Sequence, residues 1–182
     1  MPSKYRELLD GIWRLNRVHN GPEQLLGLKR VLDFIQKNFK GDGELHYLKT
    51  GETENFWTVP ESWTVESFAL IEPNGNVVAT EQDHPLVVCP FSSSIVKVMP
   101  LDELKKHVIS DPQREDAYIF HFRQMYRHWE TEWAISLPHK LLAGLEDGQY
   151  HVKIATNLEN APMPVLEYHI QGTVPDTICL EI

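Results

Sequence analysis

The chain has 182 residues, of which 42% are hydrophobic and 24% charged, a composition that furnishes a packed core and excludes an intrinsically disordered chain. Seventeen Lys and Arg stand against 26 Asp and Glu for a formal net charge of -9, with the basic residues scattered, which argues against nucleic acid or an anionic membrane as partner. No apolar run approaches the roughly 20 residues that cross a bilayer, and "MPSKYRELL" lacks a signal-peptide apolar centre, so a cytoplasmic location without membrane contact is expected.

From Ser3 to about His19, Tyr5, Leu8, Leu9, Ile12, Trp13, Leu15 and Val18 recur at helical spacing behind Ser3 as N-cap, predicting an amphipathic helix. "HNGP" breaks it, and Pro22 opens a second helix whose Leu25, Leu28, Val31, Leu32, Ile35 and Phe39 share a face until Gly41 and Gly43. "ELHYLKTG" then reads as a strand. "WTVESFALIEPNGNVVATEQ" reads as two strands around Asn74-Gly75, a hairpin signal because both turn residues tolerate positive φ. "HPLVVCPF" and "SSSIVKVM" follow as strand candidates, and "MPLDELKKHVIS" as a helix with Pro100 ahead of it. The aromatic stretch "AYIFHFRQMYRHWETEWAISL" suits either strand or buried helix. "LPHKLLAGLEDGQYHVKIATNL" gives a short helix, an Asp-Gly turn and a strand with Tyr150, Val152 and Ile154 on one face and His151 and Lys153 on the other. "MPVLEYHIQGTVPDTICLEI" closes with two strands, the last holding Thr177, Ile178, Cys179, Leu180 and Ile182.

Individual residues carry little chemistry. His121 and His128 are seven apart, too far on a helix for one ion, and His128 with Glu130 and Glu132 has no further ligand to single it out. His84 in "DHPL" and His139 in "LPHK" sit beside prolines at element boundaries, where an imidazole more often satisfies loop backbone than binds metal. Cys89 and Ser92 to Ser94 lack the Gly-x-Ser-x-Gly frame of a nucleophile elbow, and no glycine-rich phosphate loop is present. Both cysteines lie in apolar runs far apart and are expected unpaired.

One set of blocks is more specific. "TGETENFWTVPESWTV", "HPLVVCPFSSSI", "YRHWETEWAISLPHKLLAGLEDGQYHVKI" and "LEYHIQGTVPDTICLEI", in that order, resemble the bacterial aminopeptidase-like proteins of the zinc exopeptidase type. Trp57, Thr58, Val59, Pro60 and Trp63 carry the likeness most specifically, followed by Trp133, Leu137 and His139, then Tyr150 and Val152. Phe56 stands where that family usually has an acid, and Ala134, Ile135 and Ser136 where it has Gly-Phe-Cys.

The resemblance implies an α+β architecture: N-terminal helices plus strands of a partial α/β peptidase-type sheet, with an inserted β-rich domain. Residues 1–54 would hold the helices and first strand, 55–163 the insert, and 164–182 the returning strands. The chain would then be the front segment of a zinc hydrolase, with the metal ligands beyond Ile182 and no catalytic, cofactor or metal residue of its own. Trp57, Pro60, Trp63, His84 and His139 would serve as junction or recognition residues that mostly pack. The implied partner is the missing C-terminal catalytic portion or, if the chain is a stand-alone binding or oligomerisation module derived from that family, a second copy of itself. A third reading is an independent metal enzyme built on His121, His128 and nearby acids.

Overall fold

A computed structural model describes residues 3–13, 22–54, 56–121 and 132–173. Two helices open the chain, α1 (Lys4–Ile12) and α2 (Pro22–Asn38). Ser3 caps α1 as its sequence position suggests, its hydroxyl accepting the Arg6 N–H at 3.3 Å. The helix stops sooner than the spacing predicts, with Trp13 as its C-cap, and residues 14–21 lie outside the described ones. α1 lies on α2 through a tilted Tyr5–Phe34 ring contact at 5.4 Å and a Lys4–Asn38 hydrogen bond of 2.7 Å.

Strand β1 (Asp42–Leu48) pairs antiparallel with β10 (Met163–His169), from Asp42 opposite His169 to Leu48 opposite Met163. Because side chains alternate across a strand, Leu45, Leu166 and Tyr168 share the face on which α2 packs. Asp42, Glu44, His46, Glu167 and His169 share the opposite, solvent-facing side. Leu48 leads to a small hairpin of β2 (Thr53–Glu54) and β3 (Trp57–Thr58).

The largest sheet has four strands in the order β5-β4-β9-β6, made of β4 (Ser62–Ile71), β5 (Val77–Thr80), β6 (Ile95–Pro100) and β9 (Gln149–Glu159). The Asn-Gly signal is realised: Gly75 has φ of 90° in the turn joining β4 to β5, and its N–H donates to the Glu72 carbonyl at 2.9 Å. In β9, Tyr150, Val152 and Ile154 are buried while His151 and Lys153 face out, as the alternation predicts. The buried face packs on Leu101 and Leu104 of α3 (Leu101–Lys105), on Ile135 and on Leu137. Burial of such side chains contributes about 1.5–3 kcal/mol each.

One strand expectation needs correcting. "HPLVVCPF" forms turns, with a single antiparallel bridge between Val88 and Ile135. Pro85 and Pro90 flank the apolar run and lack the N–H a ladder needs. Val87 to Cys89 are instead fastened to the segment around β8 (Ile135–Ser136), which pairs in parallel with β7 (Val108–Ile109). The short helix α4 (His139–Ala143) follows β8. The described part of the aromatic stretch forms neither a helix nor a strand before His121, and the expected final strand lies outside the described residues. The molecule is thus a mixed α+β fold with N-terminal helices, a partial sheet and strand-rich regions that accord with an inserted domain.

Candidate functional site

The five residues singled out by sequence fall into four neighbourhoods. Trp57 and Pro60 lie where the chain passes from the β1–β10 ribbon to the four-stranded sheet. Thr50 sits at this neck: its hydroxyl lies 3.0 Å from the Ala161 carbonyl and 3.4 Å from that of Pro60, and accepts the Ala161 N–H at 3.3 Å. Trp63 is a core residue, 5% exposed, whose indole N–H donates to the Ser92 carbonyl at 3.0 Å. This fits the usual behaviour of a buried tryptophan, which packs its ring and finds one acceptor.

His84 is the centre of a ring stack. Its imidazole lies parallel to the Tyr118 ring at 4.4 Å and tilted against Trp13 at 5.5 Å. Its Nδ1 accepts the Leu86 N–H at 3.1 Å, which fixes that nitrogen as unprotonated in this arrangement. Tyr118 is held in place through its neighbour, because the Ile119 N–H donates to the buried Ser136 hydroxyl at 2.7 Å. Burial first, and the nearby Asp83 carboxylate second, push the Tyr118 phenol above its ordinary range, so it stays neutral. His139 opens α4 and places Nδ1 3.3 Å from the Ser110 hydroxyl.

Sequence reasoning missed two features. His107 stacks on Trp133 at 4.0 Å and 12°, with Nδ1 3.2 Å from the Trp133 carbonyl. Ser92, inside a run dismissed as a nucleophile, is a buried junction. Its hydroxyl reaches the Cys89 carbonyl at 2.6 Å and the Ala134 carbonyl at 3.1 Å, and it accepts the Ala134 N–H at 3.1 Å. Neither had a signal in local sequence, because the partners are 26 and 42 residues away.

The reactive candidates are quiet. Cys89 is fully buried, and burial pushes its thiol up to about 12, so it carries no thiolate near neutral pH. On the open side of the ribbon, Glu167 accepts from His169 at 2.6 Å and meets His46 at 2.9 Å, and these two hydrogen bonds hold its carboxyl below the ordinary range. All three side chains are exposed. Among the described residues, no group of three or more His, Cys, Asp or Glu side chains is set to hold a metal ion. His121 is half-buried, while His128 and Glu130 lie outside the described residues. No helix among the described residues is long and apolar enough to cross a membrane.

Comparison with known proteins places these features in context. Residues 62–157 match the family model described as "Domain of unknown function (DUF2172)". A Clostridium acetobutylicum protein named "Putative polysaccharide biosynthesis protein with aminopeptidase-like domain" is 28% identical over 154 residues, 85% of this chain and 34% of that protein. The crystal structure of a "putative peptidase" from Clostridium acetobutylicum matches with a TM-score of 0.67 and 26% identity, covering 87% of this chain and 35% of the other. The chain therefore spans about a third of the length of the relatives it matches.

Proposed function

The chain belongs to the DUF2172 family, a domain of unknown function, and we propose that it is the front segment of an aminopeptidase-like zinc hydrolase, not catalytic on its own. It is a distant relative of proteins described as peptidase-like. On this reading, residues to about 54 and from about 164 belong to a peptidase-type sheet, and 55–163 form the β-rich insert.

The observation that carries the reading is unequal burial. Apart from Pro164 in β10, every buried hydrophobic side chain among the described residues lies between Val59 and Ile154. The α1, α2, β1 and β10 part has one sheet face covered by α2, while among the described residues no element covers the other. A two-stranded ribbon and two helices bury too little surface to be stable alone; as the rim of a larger sheet they would gain the missing neighbours. The geometry of entry and exit supports the insertion: Leu48 pairs with Met163, and beyond the β2–β3 hairpin on one side and four residues along on the other, Ser62 pairs with Glu159. A unit whose two ends are hydrogen-bonded neighbours can sit in a host chain without disturbing it.

No ligand set for zinc is found among the described residues, so on this reading the metal and its ligands belong to the remainder of a longer protein. The contribution of the present chain is structural, with hydrolysis of a peptide or amide bond the activity of the whole. The test is twofold. The DNA following the Ile182 codon is expected to continue in frame into a His-, Asp- and Glu-bearing sequence, and a stop codon there would favour the stand-alone module. The purified chain with added zinc is expected to leave an aminoacyl p-nitroanilide untouched, and turnover by it would overturn the reading.

A further inference from the structure

We infer that Thr50 is a hinge pin: its single hydroxyl fixes the four-stranded sheet relative to the helix and ribbon part of the molecule. Among the described elements, α1, α2, β1 and β10 pack on one another, and none packs broadly on β4, β5, β6 or β9. The two parts are joined by two chain crossings, one from Leu48 to Ser62 and one from Glu159 to Met163. Crossings of this kind leave backbone torsions free to turn unless something locks them.

Thr50, itself on the first crossing, touches that crossing once more at Pro60 and the second crossing twice at Ala161. Its proton points between the Ala161 and Pro60 carbonyls, at 3.0 and 3.4 Å, with Ala161 the nearer, while its oxygen accepts the Ala161 N–H at 3.3 Å. The hydroxyl thus trades hydrogen bonds with both peptide groups of residue 161, as a neighbouring strand would. This extends the β1–β10 ladder past its last pair, Leu48 with Met163, by a side chain in place of backbone. The outgoing chain is made stiff at the same point, since the Gly51 N–H donates to the Val59 carbonyl and the Val59 N–H to the Glu52 carbonyl, both at 2.9 Å. Beside the pin, an open cleft of about 240 Å³ lined by Lys49, Thr50, Asn160, Ala161 and Pro162 leaves room for the two parts to swing together. The Trp13–His84–Tyr118 stack is a second bridge, made from the α1 side.

The test compares Thr50→Val, which keeps the shape and removes the hydroxyl, with Thr50→Ser, which keeps the hydroxyl and removes the methyl. In hydrogen exchange, Thr50→Val is expected to speed exchange of the Ala161 amide at least tenfold while β9 amides from Tyr150 to Ile154 stay within twofold of the parent. Thr50→Ser is expected to match the parent. Spin labels at the exposed positions Glu44 and Val96, in a Cys179→Ser, His84→Ala background that removes the second bridge, are expected to give a broader distance distribution with Thr50→Val than with Thr50→Ser. Equal widths would overturn the inference. So would unchanged Ala161 exchange, acceleration spread through β9, or a Thr50→Ser protein that behaves like Thr50→Val.

Discussion

Replacing Ser92 by Ala should cost far more than removal of one hydroxyl suggests. The hydroxyl has three polar neighbours, and the structure shows which of them would be stranded. The Cys89 carbonyl also accepts the Ser92 N–H at 3.1 Å, and the Ala134 carbonyl also accepts the Cys89 N–H at 3.0 Å. Both carbonyls therefore keep a partner. The Ala134 N–H donates to the Ser92 hydroxyl, and Ala134 is only 6% exposed, so water cannot easily replace the acceptor. An orphaned buried donor costs about 1–3 kcal/mol, and the lost hydrogen bonds add to it, for an expected total of about 2–3 kcal/mol. For a chain of this size that lowers Tm by about 5–10 °C. Urea unfolding followed by tryptophan emission is well placed to measure it, because Trp63 bonds the carbonyl of the same residue. The midpoint should fall with the slope unchanged. Ser94→Ala is the control: its hydroxyl bonds Thr156 at an exposed position where water can substitute, and it should lose under about 1 kcal/mol. A Ser92→Ala loss below about 0.5 kcal/mol would refute the reasoning.

In a Cys179→Ser background, Cys89 should resist iodoacetamide at pH 8 until the protein is unfolded. Its folded thiol titrates near 12 against an ordinary value of 9.0, so the unfolded chain gives up its proton first and stability should fall as pH rises from about 9, a slope that Cys89→Ala should lessen, the raised Tyr118 and Tyr150 phenols supplying the rest at higher pH. Glu81 shows the opposite sign: its carboxylate accepts the Phe68 N–H at 2.9 Å, which holds its pKa below the ordinary 4.5. The stabilisation is present above that value and lost as pH falls beneath it, so Glu81→Gln should flatten the urea midpoint between pH 5 and 3. Amides of β1 and β10 should exchange at least tenfold faster than those paired between β4 and β9, as hydrogen exchange by mass spectrometry would show, because exchange tracks local burial.

Short-range features were legible in the sequence, and long-range ones were not. The Asn74-Gly75 turn, the Ser3 cap and the β9 alternation depend on neighbours within a few residues. "HPLVVCPF" misled because an apolar β-branched run has the same composition whether it joins a ladder or is buried by turns. Here Pro90 and Phe91 fill the middle of a turn closed by the Ser92 N–H, and Phe91 takes a φ of 60° that favours glycine. Nothing local forecasts a phenylalanine there, since the strain of about 1 kcal/mol is offset by burying the ring against Trp63. The histidines follow the same logic. Proline neighbours placed His84 and His139 at element boundaries, but the Trp13 and Tyr118 rings that stack with His84 are 71 and 34 residues away along the chain.

The contrast between the two parts of the molecule has a physical origin in their strands. β9 places Tyr150, Val152 and Ile154 on one face and finds a strand on each side, β4 and β6, so its backbone and its apolar face are both satisfied. β1 and β10 place Leu45, Leu166 and Tyr168 toward a single helix, and each has one described partner strand. Their other face carries Leu48, Met163 and Val165 at the neck end, but over the rest two histidines and three carboxylates, Asp42, Glu44 and Glu167, residues suited to water and not to a second packed layer. A further strand would therefore add along the ribbon's edges more readily than a layer would pack over its polar face. Edge addition satisfies exposed backbone donors and acceptors without desolvating charges, whereas covering Glu167 would strip water from a carboxylate with no buried cation to replace it.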